Sequence, residues 1–165
     1  MKRAISAMLM LGTILLATAP SPLRAEHAKI TLDVIAPGGQ QTAYMDQTPP
    51  DWGKNPRPVV KARAGDAIKV QWMFVNIYPH KTLENVVVHF FIVREGKVGQ
   101  KELPGLDEAV LESAFDMDFK PGAKAGQRHT LRIEAPGVYL IRVESGKTQS
   151  DHEHFAAIDV VVEGD

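Results

Sequence analysis

The chain has 165 residues, with 19 Lys and Arg against 20 Asp and Glu, 44% hydrophobic residues and no cysteine. That length suits one domain with a sizeable core, and the charge balance offers no basic excess to meet a phosphate backbone, so nucleic acid is not an expected partner. Without cysteine, structural disulfides, lipid anchoring through a thiol and Cys-His catalysis are all excluded.

Lys2 and Arg3 precede an apolar run from Ala4 to Ala17, and Pro20-Ser21-Pro22-Leu23-Arg24-Ala25 follows. A basic start, an apolar run too short for a spanning helix and a small final residue predict a secretory signal peptide cleaved after Ala25. The expected layout is therefore residues 1–25 as signal and 26–165 as one domain, exported to the periplasm or beyond the cell. Loss of Lys2, Arg3 and Arg24 leaves 16 basic residues against 20 acidic ones, a net charge of −4. No later apolar stretch is long enough to span a membrane.

Ile30, Leu32 and Val34 alternate with Thr31 and Asp33, which predicts a first strand ending at the Pro37-Gly38-Gly39 turn. From Gln40 to Pro58 the pattern is irregular, with Pro49, Pro50, Pro56 and Pro58 around Trp52. Val59 to Arg63 reads as a short edge strand and Gly65-Asp66 as a turn. The strongest signal follows. Ile68, Val70, Trp72 and Phe74 fall on one face of a half-buried strand, and Val86 to Val93 is apolar on both faces, as in a strand covered on both sides. The loop Asn76 to Glu84 joins them.

Glu95-Gly96-Lys97 predicts a tight turn into a strand from Val98 to Leu103, and Leu106 to Leu111 suggests one helical turn. Further strands are expected over Phe115–Phe119, His129–Ile133, Val138–Glu144 and Phe155–Glu163, separated by Pro121-Gly122 and Pro136-Gly137. The predicted core includes Ile68, Val70, Trp72, Phe74, Leu131, Ile133, Tyr139, Ile141, Ile158 and Val160. Short strands at this spacing predict an all-β, antiparallel Greek-key sandwich. Tyr139, directly after Pro136-Gly137, stands where such sandwiches close a turn with a tyrosine hydroxyl.

The stretch Ala64-Gly65-Asp66-Ala67-Ile68-Lys69-Val70-Gln71-Trp72, with Asn76 and His80 beyond it, resembles the front half of a cupredoxin. Pro136-Gly137-Val138-Tyr139, leading to His152 and His154, is similar to the back half. The resemblance implies a cupredoxin-like or immunoglobulin-like sandwich. It does not carry over the blue copper centre, because the thiolate that defines that centre has no counterpart: the matching strand position is about Val143, and cysteine is absent.

All six histidines lie after the expected cleavage point. On a sandwich topology the loops at His80 and at His152 and His154 share one pole, with His27 and His129 expected nearby; His89 alone is predicted to sit well inside a strand. His152-Glu153-His154 presents two imidazoles with strand-like spacing, and neutral imidazole suits Cu²⁺ or Zn²⁺. His80 would supply a third ligand and leave an open position. Glu84, Asp151 and Glu153 are the carboxylates placed to orient the rings through their other nitrogens. The plainer reading makes these histidines capping or solvated loop residues.

Three classes follow. One is a binding or interaction module whose pole loops grip a protein, a glycan or a small ligand. Another is a periplasmic copper- or zinc-binding protein using His80, His152 and His154. A remoter one is an oxidative enzyme holding copper between His27 and its own amine, which requires cleavage after Glu26. No Ser-His-Asp arrangement and no phosphate-cradling glycine loop is suggested, so no catalytic residue is assigned.

Overall fold

Burial follows the period-two pattern of the sequence through the strands it predicts best. The computed structural model describes residues 27–44, 57–148 and 154–164. The expected signal segment lies outside them, as do Trp52, Pro49, Pro50 and Pro56. Among the described residues there are nine strands and no helix: β1 (Ala28–Ala36), β2 (Gly39–Tyr44), β3 (Val59–Arg63), β4 (Ala67–Asn76), β5 (Leu83–Glu95), β6 (Leu111–Phe119), β7 (Lys124–Arg132), β8 (Gly137–Gly146) and β9 (His154–Glu163). They form a four-stranded sheet in the order β2-β1-β4-β7 and a five-stranded sheet in the order β3-β9-β8-β5-β6.

One hydrophobic cluster joins the two sheets in a sandwich-like arrangement. Ile30, Leu32 and Val34 of β1 and Ile68, Val70, Trp72 and Phe74 of β4 meet Val88, Phe90 and Ile92 of β5, Ile141 and Val143 of β8, and Ile158 and Val160 of β9. Leu131 is half-buried, as befits its place on edge strand β7, and packs against this cluster. Trp72 lies 6.0 Å from Phe90 and stacks on Phe115 at 6.1 Å. Strand β7 approaches so closely that a Cβ on Gly126 would stand 2.3 Å from the Trp72 carbonyl oxygen, so only glycine fits there. The Tyr139 hydroxyl donates to Ala135 O at 2.8 Å and closes the Pro136-Gly137 turn.

Several expectations need correction. Gln40 to Tyr44 is no loop: it is the greater part of β2, paired antiparallel with β1 in register Ala36↔Gly39 to Thr31↔Tyr44. Its polar, mostly exposed residues hide an edge strand, which needs pairing on one side only. The pairings are not all antiparallel, since β3 runs parallel to β9 from Val59↔Asp159 to Arg63↔Glu163. No tight turn links those two strands, so nothing local sets their relative direction. Val98 to Leu103 forms no strand and Leu106 to Leu111 no helix. The connection 96–110 is irregular, held by Gly99 N–H on Asp159, Ala109 N–H on Leu106 O and Val110 N–H on Ile92 O. Finally, β6 and β7 begin earlier than predicted, at Leu111 and Lys124.

Candidate functional site

The start of β1, the end of β4, the start of β5, the end of β8 and the start of β9 gather at one pole, as the pairs Ala28↔Asn76, Val87↔Gly146 and Ser145↔His154 require. Asn76 ties this pole together. Its backbone N–H donates to Ala123 O, and its side-chain amide donates to Lys81 O and to Phe119 O, both at 2.8 Å. Its Oδ1 accepts from Tyr78 N–H at 2.8 Å. An asparagine suits this position because one side chain both donates twice and accepts, satisfying backbone groups of the five-stranded sheet and of the loop. The loop after β4 is thereby turned back over the pole, and Ile77 N–H bonds to His27 O at 3.1 Å.

Two imidazoles meet under that loop. His154 opens β9 on the inward side, in step with Ala156 and Ile158, and is buried. Its ring lies 5.5 Å from that of His27, centre to centre, in an edge-on arrangement at 76°. Tyr78 completes the aromatic group, 5.9 Å from His27 at 35°, and Lys81 Nζ stands 5.9 Å over the Tyr78 ring. The topology thus joins His27, from the start of the domain, to His154, from its last strand.

The other candidates fall as follows. His80 is exposed on the loop that contains Tyr78, and Glu84 is exposed near the start of β5. His152, Asp151 and Glu153 lie outside the described residues. His129 is the sixth residue of β7, opposite Val70, not at a strand start. Its ring stacks on Phe90 at 5.1 Å and 4°, and its Nε2 is 3.0 Å from Gln127 Oε1. That placement puts it on edge strand β7 near Ser113 of edge strand β6, which donates to the same Gln127 oxygen. Among the described residues, no group of three or more His, Cys, Asp or Glu is arranged to hold a metal ion.

Two polar clusters on the outer face of the five-stranded sheet escape sequence reasoning. In the first, Arg57 bonds to Glu95 Oε2 at 2.7 Å and to Asp159 Oδ1 at 2.8 Å, with both carboxylate side chains fully buried. Burial pushes the Glu95 carboxyl above its ordinary range, and the Arg57 hydrogen bond and charge pull against it. In the second, His89 lies between Glu112 and Glu144. A charged residue in the apolar run Phe155–Val162 is the one sequence sign of the first cluster; the second depends on strand pairing, which the sequence does not display.

Neither a protein-family model nor a curated protein matches the chain.

Proposed function

We propose that this is an exported binding module, a Greek-key sandwich of the immunoglobulin-like or cupredoxin-like kind, whose binding end is the pole where His27 and His154 meet. One observation carries the reading: two imidazoles from opposite ends of the domain lie 5.5 Å apart beneath a loop that Asn76 holds in place. Binding sites on sandwiches are commonly built from loops at one end of a rigid frame, and this pole combines such loops with aromatic and hydrogen-bonding groups. A protein, a glycan or a small ligand is its partner.

The same pair of rings favours a second reading, in which the pole holds copper or zinc. Imidazole is the ligand that both ions share, and His80 and His152 are the residues that would extend the set. Calorimetric titration of the mature protein with Cu²⁺ and Zn²⁺ decides between the two. Binding that disappears in a His27→Ala, His154→Ala double variant, weakens in His80→Ala and is released on acidification supports the metal reading, because imidazolium cannot ligate. Equal heats in wild type and double variant, or none in either, sink the metal and leave the plain binding module. Export has its own check: the protein isolated from the periplasm should begin at Glu26, and a full-length chain retained in the cytoplasm overturns the exported reading.

A further inference from the structure

His89 of β5 receives a carboxylate from the strand on each side. Its Nε2 is 2.9 Å from Glu112 Oε1 on β6, and its Nδ1 is 3.4 Å from Glu144 Oε1 on β8. Arg142 donates through Nε to the other Glu144 oxygen at 2.6 Å, and its guanidinium lies 4.1 Å from the centre of the Phe155 ring. The fixed cation of the cluster is therefore committed to Glu144 and to an aromatic face. Beside His89, Ala114 with its small side chain and Gly146 with none, together with Val87, leave a groove of about 320 Å³ walled by His89, Glu112 and Glu144. A Cβ placed on Gly146 would meet nothing within 4 Å, so the space is open at that point.

The groove has an apolar floor and acceptor-rich walls. An ionised carboxylate offers about four lone-pair sites. Glu112 has one site engaged at His89 Nε2 and Glu144 one at Arg142, while His89 Nδ1 stands 3.4 Å from the remaining Glu144 oxygen. Both retain free acceptor capacity, and Glu112 is 47% exposed. Asp116, the register partner of Val87, adds a further carboxylate at the end nearer the pole. A metal ion is poorly served, since the two glutamates face opposite nitrogens of a single ring.

We propose that the groove receives the lysine or arginine side chain of a partner polypeptide. The aliphatic stem lies along Val87, Ala114 and Gly146, and the cationic head bonds to Glu112 and Glu144. A mature chain of net charge −4 is suited to a basic partner. The proposal goes beyond the histidine pole and shares no side chain with it, so the two readings fail separately.

The test is an amide chemical-shift titration of the mature protein with acetyl-Gly-Lys-Gly-amide, the same peptide acetylated on Nζ, and putrescine. Saturable shifts centred on Val87, His89, Ala114 and Gly146 are expected with the lysine peptide and not with its acetylated form. Glu112→Gln removes one charge-assisted bond and should weaken binding about tenfold. Gly146→Leu starts from a Cβ position with nothing within 4 Å and carries its branched end into the groove, so it should keep a folded spectrum and lose the shifts. His27→Ala should bind as wild type does. Absence of saturable shifts, equal binding by Glu112→Gln and Gly146→Leu, or equal binding of the acetylated peptide overturns the proposal. So does saturation by putrescine where the peptide fails, which would make the occupant a free polyamine.

Discussion

The outer face of the five-stranded sheet carries two clusters, each built around an arginine and two carboxylates, and among the described residues only one of them is covered. In the first, Arg57 spans Glu95 and Asp159, and the connection 96–110 crosses above: Gly99 N–H donates to Asp159 at 2.7 Å, while Leu106 packs on Phe91, Val93, Leu140 and Ala157. In the second, Arg142 and His89 meet Glu144 and Glu112, whose side chains keep 23% and 47% of their exposure. Cover decides the role. Under the connection, water is excluded and both carboxylates share Arg57, so the cluster holds edge strand β3 and the connection to the sheet. In the open groove water still competes, each pairing is individually weak, and the acceptors remain available to a ligand.

The sharpest way to break this comparison is Arg57→Met. It removes the guanidinium that two buried carboxylates share and should cost about 3–5 kcal/mol in urea unfolding. A loss below about 1 kcal/mol would mean that water reaches the cluster and that the connection is no real cover. A smaller effect, with a definite sign, comes from Glu95. Its folded value is raised above the ordinary 4.5. Below that ordinary value the carboxyl is neutral in both folded and unfolded chains, and its contribution to stability is fully present. As pH rises through the raised value, ionisation costs more in the buried site than in the unfolded chain, and the contribution is lost. The stability of Glu95→Gln relative to wild type should therefore rise as pH increases above the ordinary 4.5, and a difference that stays flat would place Glu95 in water. The smallest effect belongs to the groove. Glu112→Gln should change stability by no more than about 0.5 kcal/mol, as for other exposed ion pairs; a loss of about 2 kcal/mol would make its pairing with His89 a structural clasp.

Strand existence was legible where one face is buried. The alternations of β1, β4 and β9 reached the correct inward residues because a one-residue slip would turn every apolar side chain to water. Tyr139 was legible for a local reason, since its partner Ala135 is only four residues away. The segment Val98 to Leu103 misled because a short stretch of alternating apolar and polar residues looks the same whether or not a neighbouring strand stands ready to pair with it. Part of the candidate site was also legible: His154 and His27 were placed at one pole by topology. The assignment of His129 to that pole rested on a strand starting too late in the sequence.

Taken alone, the sequence determined that the described chain is all-β and which residues form most of its core. Those features follow from side-chain period and turn chemistry, which act over a few residues. Tertiary structure alone decided that His27 touches His154, that β3 runs parallel to β9, that the connection 96–110 seals one arginine cluster, and that His89 faces two glutamates. Each of these depends on pairing between segments far apart in the chain, and the free energy that selects such a pairing resides in the assembled sheet rather than in either strand.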